Sequence, residues 1–287
     1  MTRIATVLTH RRTDETAPAI RELIVAAREA DVGLRFDPTE TAKHGLTAES
    51  GVEVGATAGP SDVEICFALG GDGTILNALR RYAGTGVPVF GVNFGEIGFL
   101  ATVDREGARE GFERAFRKEF EVLPLPGIAV KATGGGEWIA INDLSVQRQQ
   151  GRRVASLAYS VGADEVGRVR CDGLVVATPA GSTGYNLANG GPVMAWGVEG
   201  FAVSFIAPHS LTARALVVAP SDTLTIDNRS PEEEVDVAVD GRPVAALAPG
   251  GRLEARFVAD QGMLAQLAGI NFYARLREKF GRLATVP

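Results

Sequence analysis

The sequence has few of the residues that indicate a disulfide-rich or membrane-spanning protein. It contains 2 cysteines, Cys66 and Cys171, which stand far apart and outside any CxxC or Cys/His spacing. Neither a disulfide framework nor a zinc site is therefore indicated, and both are expected to be buried thiols. No apolar run reaches the length of a membrane span, and residues 4–8 are too short for a signal-peptide core. These absences predict a cytoplasmic protein without a membrane partner.

An excess of basic residues is also lacking. The 287 residues include 29 Lys and Arg against 35 Asp and Glu, which gives a net charge of −6. Proteins that bind nucleic acid gain much of their affinity by neutralising phosphates, so this balance argues against a nucleic-acid partner. At 45% hydrophobic residues the chain can fill one large core or two modest ones, and we expect two domains.

The first 123 residues alternate between strand-like and helix-like patterns. The predicted strands are 3–8, 33–36, 63–69 and 88–92, and helical spacing recurs at about 18–27, 74–82 and 107–120. This order predicts an α/β domain with a parallel sheet and crossover helices. Pro124 and Pro126 mark the end of the last of these helices, so we place the domain boundary between residues 123 and 124.

Residues 124–270 change to short strands separated by turn signals, which predicts a β-rich, sandwich-like domain. The predicted strands are 128–132, 138–146, 154–161, 174–177, 201–206, 215–218, 224–226, 235–239 and 253–258. Asp240 and Gly241 follow one of them as a hairpin-type turn. Helical spacing returns at 271–280, and we expect the segment 271–287 to pack back on the first domain.

The segment ALGGDGTILNAL, residues 68–79, sets Asp72 among Gly70, Gly71 and Gly73. Free N–H groups at a helix start bind phosphate, and glycines let the backbone approach closely. The segment is neither GxGxxG nor a Walker A loop, so the chemistry falls to Asp72. Its carboxylate can accept a proton from an attacking hydroxyl and can help to hold Mg²⁺ on donor phosphates. The alternative is an aspartate that only caps the helix.

A second segment, CDGLVVATPAGSTGYNLANGGP at residues 171–192, joins an apolar strand to a loop dense in glycine, hydroxyl and amide groups. Tyr185 can stack on a flat ring, and Asp172 can accept from an amide or a ribose hydroxyl. The composition favours a wall for a polar ligand with a flat ring. The alternative is an ordinary cluster of surface turns.

Seven segments together resemble the NAD kinase family, in order along nearly the whole chain. They are GGDGT at 70–74, NFGEIGFL at 93–100, IND at 141–143, DGLVVATPAGSTGYNLANGGP at 172–192, PHSL at 208–211, DGR at 240–242 and FYARLREKF at 272–280. GGDGT is shared with diacylglycerol and sphingosine kinases, whereas the long TPxGSTxY segment is not. The resemblance implies an N-terminal α/β domain, a C-terminal β-rich domain and a homodimer or homotetramer. It also implies that ATP or polyphosphate, with Mg²⁺, phosphorylates the adenosine ribose 2′-hydroxyl of NAD to give NADP.

The resemblance further implies which residues form the site. Asp72 falls on the family's proton acceptor, with Gly73 and Asn77 lining the same site. Asn142 and Asp143 fall on an Asn-Glu pair that holds dinucleotide hydroxyls, although Asp143 is one methylene shorter than the usual Glu. Asp172 matches an acid near the nicotinamide. Three arginines fall on positions that contact dinucleotide or phosphate: Arg153, Arg170 and Arg242. The loop that wraps the substrate in the family matches Thr183, Gly184, Tyr185, Asn186, Leu187 and Ala188. Ala180, Gly184 and Ala188 replace the usual Thr, Ala and Ser, so two hydroxyls are missing. Phe99 is expected to line the pocket; the alternative, which is more common for a Phe in an apolar GFL run, is a core position. His209 is expected to make a structural hydrogen bond.

Other functions stay open at this point. A lipid kinase could share the GGDGT core, but the acidic balance and the lack of a basic amphipathic helix argue against it. A non-catalytic NAD-binding module would be compatible with Asp143 and the loss of loop hydroxyls. A Rossmann dehydrogenase is disfavoured because the first strand leads into THRRTDET, without a glycine fingerprint.

Overall fold

The computed structural model describes residues 3–57, 59–95, 98–269 and 271–281. Their contacts divide into unit 1, Met1–Pro124 with Gly262–Pro287, and unit 2, Leu125–Gln261. Glu96 and Ile97 of the predicted 93–100 segment lie outside the described residues, as do residues 282–287 of the predicted closing segment.

Unit 1 alternates strands and helices, as the sequence predicts. Its elements up to Pro124 are β1 (Arg3–Thr9), α1 (Thr13–Glu29), β2 (Val32–Phe36), α2 (Pro38–His44), β3 (Val52–Val54), β4 (Ile65–Gly70), α3 (Asp72–Arg81), β5 (Pro88–Asn93), β6 (Val103–Asp104) and α4 (Ala108–Phe116). The strands pair in the order β3-β2-β1-β4-β5, all parallel, and β6 pairs with β5. The predicted α/β class with a parallel sheet is confirmed.

The strand order reverses at β1, which lies between β2 and β4. In open parallel sheets, ligands bind at the carboxyl ends of the strands beside such a switch point. β4 ends at Gly70, and Asp72 begins the next helix. The sheet topology therefore places the glycine-rich loop where this class of fold binds ligands.

The strands of unit 2 pair in antiparallel fashion. Its strands are β7 (Glu121–Ala132, beginning in unit 1), β8 (Glu137–Ala140), β9 (Asp143–Arg148), β10 (Ala155–Val161), β11 (Asp164–Cys171), β12 (Gly173–Ala177), β13 (Phe201–Ile206), β14 (Leu216–Val218), β15 (Thr223–Asn228), β16 (Val235–Val239), β17 (Arg242–Leu247) and β18 (Arg252–Gln266), with the short helix α5 (Tyr185–Ala188) after β12. One sheet has the order β14-β13-β12-β9-β16-β17, and β11-β10-β15-β18 pair in a second. Apolar side chains of both form one core, which confirms the sandwich-like prediction.

The end of β18 and the last helix, α6 (Phe272–Phe280), belong to unit 1. Met263 and Leu264 of β18 pair in parallel with β5. Asn271 caps α6, because its Oδ1 accepts the N–H of Ala274 at 2.9 Å. Among the residues that the structure describes, no helix has the length and hydrophobicity that a membrane crossing requires.

The helix predicted for residues 107–120 is shorter than expected and ends at Phe116. Lys118 adopts a left-handed conformation with φ of 60°, which stops the helix. Pro124 and Pro126 lie inside β7 rather than after a helix. Residues 128–131 of that strand pair with β8, so the missing proline N–H groups remove no bond from this ladder.

Other elements also differ from the prediction. α2 lies between the predicted strands 33–36 and 63–69, where no helix was predicted. Asp37 caps α2 by accepting the N–H of Glu40, and Gly45 ends it at φ of 59°. The predicted strand 138–146 is two strands, β8 and β9, and the strands β11 and β17 were not predicted. The buried thiols are confirmed, because Cys66 and Cys171 are both 0% exposed. Burial raises the pKa of each thiol to about 12.

Candidate active site

The loop after β4 leads through Gly70 and Gly71 to Asp72 at the start of α3. Gly70 has no room for a side chain, because an added Cβ would overlap the side chain of Thr74. Gly71 is the N-cap residue, and its carbonyl accepts the N–H of Thr74 at 2.9 Å. An added Cβ at Gly71 or Gly73 would meet nothing within 4 Å. The helix therefore begins with open backbone at the carboxyl edge of the sheet, where anions bind well.

The Asp72 carboxylate has one backbone donor on each oxygen. The N–H of Phe99 donates to Oδ2 at 2.9 Å, and the N–H of Leu100 donates to Oδ1 at 3.0 Å. Gly98 permits this approach, because an added Cβ there would overlap Oδ1. The Asp72 side chain is 33% exposed, and Nζ of Lys279 lies 4.0 Å from Oδ2. Asp72 does not act as the N-cap of α3, a position that Gly71 occupies. A carboxylate has about four acceptor sites, so this one can accept a further donor from the open side.

Phe99 is a core residue rather than a pocket wall. Its side chain is 2% exposed, and its ring centroid lies 6.1 Å from that of Phe272 and 5.8 Å from that of Phe280. Its contribution to the site is the backbone N–H that Asp72 accepts. On α3, Gly73 is exposed and Asn77 is partly buried one turn later, so both lie on one helix face.

In unit 2, the break between β8 and β9 brings residues 141–143 to the hairpin turn between β16 and β17. The Asp240 carboxylate accepts the N–H groups of Ile141, Asn142 and Asp143, at 3.1, 2.7 and 3.1 Å. Asp240 and Gly241 have φ of 48° and 71°, as a two-residue hairpin turn requires. A turn carboxylate therefore fixes the backbone of the predicted Asn142–Asp143 pair.

The side chains of this pair offer different hydrogen-bonding groups. In the described part of the chain, the buried Oδ1 of Asn142 has no hydrogen-bond partner. Asp143 is 8% exposed, and burial, with a smaller contribution from the charge of Asp240, raises the pKa of its carboxyl to about 7. Near neutral pH its carboxyl therefore exists in both protonation states and can donate as well as accept. A ribose hydroxyl, which does both, is a suitable partner for this pair.

Ser182 and Asn186, both fully buried, hold the 178–192 loop from inside. The hydroxyl of Ser182 donates to the carbonyl of Pro179 at 2.7 Å and accepts the N–H of Met194 at 2.9 Å. The Asn186 amide donates to the carbonyls of Ser182 and Pro192 at 3.0 and 2.9 Å. These contacts show that Asn186, a predicted substrate contact, shapes the loop.

Other predicted residues of the loop face outward. Tyr185 is 37% exposed, and its hydroxyl donates to Oε1 of Gln147 at 3.4 Å. Burial raises the pKa of Tyr185, so the hydroxyl stays protonated. Because the side chain is exposed, its ring can stack on a flat ligand ring. Gly184 and Ala188 are exposed, and Thr183 and Leu187 are partly buried.

Of the two missing hydroxyls, only one changes the exposed face of the loop. Ala180 is 5% exposed, so a hydroxyl at that position would face the interior. Ala188 is exposed, so the substitution there does remove a donor from the outer face.

Asp172 forms an ion pair that the sequence did not predict. Nε of Arg148 donates to its Oδ1 at 2.6 Å, and Nη2 donates to its Oδ2 at 3.4 Å. Both side chains are one-third exposed, so Asp172 can still accept from a ligand. The predicted Arg153, Arg170 and Arg242 are all exposed residues of unit 2.

His209 donates its backbone N–H to the carbonyl of Arg170 at 2.7 Å, and the residue is exposed. Sequence reasoning missed the roles of Asp240, Arg148 and Lys279. The sequence does contain an indication of the role of Asp240, because Asn or Gly would suit this turn position equally well and a carboxylate there is available to accept hydrogen bonds. The contacts of Arg148 and Lys279 depend on tertiary folding and had no local signal.

Two models of known protein families match the chain. Residues 26–120 match the ATP-NAD kinase N-terminal domain, and residues 141–259 match the ATP-NAD kinase C-terminal domain. The chain is similar to the NAD kinase of Bifidobacterium longum, 34% identical over 289 residues that cover 97% of this chain and 82% of the relative.

Solved structures share the fold. Yeast NADH kinase complexed with NADH has a TM-score of 0.87 at 21% identity, over 99% of this chain and 89% of that one. An NAD kinase from Archaeoglobus fulgidus in complex with ATP has a TM-score of 0.70 at 24% identity, over 96% of this chain and 99% of that one.

An acid beside open helix N–H groups, at the switch point of a parallel sheet, is typical of a phosphotransferase. With both family domains matched, the chain belongs to the ATP-NAD kinase family and is a kinase.

Proposed function

We propose that the protein transfers the terminal phosphoryl group of ATP to the 2′-hydroxyl of the adenosine ribose of NAD, giving NADP. Support comes from family membership and from relatives described as NAD kinases. Structures with the same fold were solved with NADH and with ATP. The observation that carries the proposal is the Asp72 carboxylate, oriented by two backbone donors and open on its remaining side.

Asp72 would act as the general base. As the ribose oxygen forms its bond to the γ-phosphorus, its proton passes to an oxygen of Asp72, and the bond from phosphorus to the leaving diphosphate oxygen breaks. The N–H groups of Phe99 and Leu100 hold the carboxylate in one orientation. This preorganisation keeps an acceptor within hydrogen-bond reach of the hydroxyl, which general-base catalysis requires.

The donor phosphates would lie against the first turn of α3. Gly71 and Gly73 leave the backbone open there, and the helix dipole favours negative charge. Among the described residues, no group of three or more His, Cys, Asp or Glu could hold a metal ion. Mg²⁺ needs only one or two carboxylates plus substrate phosphates, so it would bind with the donor and with Asp72. When bound, it would neutralise phosphate charge.

The acceptor dinucleotide would be held by unit 2. The unpartnered Oδ1 of Asn142 and the carboxyl of Asp143 fit ribose hydroxyls. The exposed ring of Tyr185 fits a nucleotide base or the nicotinamide, and Asp172 fits a carboxamide N–H.

An end-point assay with the purified chain tests the proposal. NAD with ATP and Mg²⁺ is expected to yield NADP, read by an NADP-specific dehydrogenase. Parallel reactions replace ATP by polyphosphate, NAD by NADH, or NAD by diacylglycerol in vesicles. A phosphorylated lipid without NADP would favour the lipid-kinase alternative. NAD binding by calorimetry without turnover by either donor would favour a non-catalytic binding module.

A further inference from the structure

Strand β9 presents a row of polar side chains on the face opposite the core of unit 2. Leu144 and Val146 belong to that core. Because successive side chains of a strand point to opposite faces, Asp143, Ser145 and Gln147 lie together on the other face. The row therefore begins at a proposed ribose contact and ends at Gln147.

The amide of Gln147 is held in one orientation. Its Nε2 donates to the hydroxyl oxygen of Ser145 at 2.9 Å, and Ser145 is 3% exposed. Its Oε1 accepts from the hydroxyl of Tyr185 at 3.4 Å. A glutamine amide has two N–H donors and two acceptor positions, so one of each is left. Within the described ranges no other residue bonds to this amide, and a ligand can use both remaining positions.

Tyr185 connects this amide with the predicted acceptor site. Besides burial, the charges of Asp143 and Asp172 raise the pKa of its hydroxyl, which means that both carboxylates lie near it. The tyrosine is 37% exposed, so a ligand ring stacked on it presents its edge to the surrounding groups. Gln147, bonded to the hydroxyl end of the tyrosine, lies beside such an edge.

We propose that Gln147 is a specificity-determining residue, whose amide pairs with an amide or amidine edge of the acceptor ring that stacks on Tyr185. This inference rests on the proposed binding of NAD by unit 2. Adenine offers an amino donor beside a ring-nitrogen acceptor, and nicotinamide offers a carboxamide. A glutamine amide can form two hydrogen bonds with either group. The two rings share this chemistry, and analogues of NAD distinguish them.

Steady-state kinetics of the full chain test this role. Gln147→Met removes the amide at nearly constant length, and the KM for NAD is expected to rise about three- to tenfold while the KM for ATP changes little. Gln149→Met is the matched control, because the Gln149 amide donates instead to Asp236 at 3.0 Å. The control should have the wild-type KM for NAD.

Two analogues identify the ring that Gln147 contacts. One carries nicotinic acid in place of nicotinamide, and the other carries hypoxanthine in place of adenine. For one of them, the wild-type preference for NAD should fall by a similar factor in Gln147→Met, because the amide that pairs with the changed group is gone. The analogue whose rejection weakens contains the altered contact.

A second variant separates direct recognition from an effect through the tyrosine. Tyr185→Phe removes the hydroxyl and keeps the ring, so it should keep the wild-type preference for NAD over both analogues. Circular dichroism establishes that each variant folds, and Gln147→Ala gives the same readout if the methionine variant does not.

An unchanged preference in a folded Gln147 variant would overturn the inference. So would equal losses of preference in Gln147→Met and Tyr185→Phe, an equal KM for NAD in Gln147→Met and Gln149→Met, or a wild type that uses both analogues as well as NAD. Failure of the wild type to form NADP would instead refute the proposed function itself.

Discussion

The carboxylate of Asp240 accepts a hydrogen bond of 2.7 Å from the backbone N–H of Asn142, and it also binds the N–H groups on either side. One turn side chain thus satisfies three donors at the break between β8 and β9. Without it, these donors would lose their partner in a largely buried segment.

Asp240→Ala is expected to lower the free energy of unfolding by about 2–4 kcal/mol, because three N–H groups lose their acceptor. The KM for NAD should also rise, since Asn142 and Asp143 lose their fixed backbone. Urea unfolding measures the free energy of unfolding, and steady-state kinetics at varied NAD concentration measure the KM. Asp236→Ala, at an exposed position on β16, is the control and should change stability by less than about 0.5 kcal/mol. Equal stability of the two variants would contradict the role of Asp240.

Asp72→Asn is expected to remain folded and to lose roughly 10²–10⁴-fold in kcat, the usual contribution of a general base. The amide has one acceptor oxygen for two backbone donors, so stability should fall by only about 1 kcal/mol. Circular dichroism establishes the fold, and NADP formation measures kcat. Turnover near the wild-type value would rule out Asp72 as the base.

Asp143 gives stability a pH dependence of defined sign. The pKa of its carboxyl rises from 3.8 to about 7 on folding, so the folded state binds more protons between these values. Stability from this group is fully present below pH 3.8 and is lost as the pH rises through about 7. Asp143→Asn cannot ionise and should be more stable than wild type at pH 8, by at most ~4 kcal/mol.

Urea unfolding of Asp143→Asn and wild type at pH 5 and pH 8 measures this effect. The advantage of the variant should be larger at pH 8, because wild type has then lost more of the contribution. An advantage that is the same at both pH values would exclude Asp143 as its source.

Gly70 and Gly73 are expected to respond differently to alanine. Gly70→Ala should lower stability by about 1–3 kcal/mol, because the new Cβ overlaps Thr74. Gly73→Ala meets no atom within 4 Å and should fold at least as well as wild type. If donor phosphates approach the backbone at residue 73, the KM of the Gly73→Ala variant for ATP should rise. Thermal unfolding and kinetics of both variants decide the matter, and an unchanged KM would show that phosphate does not approach Gly73.

Local sequence patterns determined much of the fold in advance. The buried strands of unit 1 and the alternating Val235, Val237 and Val239 were recognisable because burial imposes a simple period. The end of α4 was not, since aromatic spacing continued to Phe120 while Lys118 took a left-handed conformation. A backbone state of one residue outweighed the side-chain pattern.

The site was predictable only in part, for a related reason. The glycines around Asp72 marked a loop with unusual backbone demands, so its position could be inferred. Its partners could not be inferred, because Phe99 and Leu100 are 27 and 28 residues away along the chain and Lys279 is on the last helix. Contacts between distant segments depend on the completed fold, which a local pattern does not encode.

Unit 1 takes one of the strand partners of β5, and its last helix, from residues after 261, whereas the whole of unit 2 is encoded before them. A ribosome releases the amino-terminal part of unit 1 first, but α6, which contacts Phe99 and Ala101, is synthesised only after all of unit 2. A nascent chain can therefore complete the two-sheet core of unit 2 before the segment that binds the Asp72 carboxylate gains its contacts with α6.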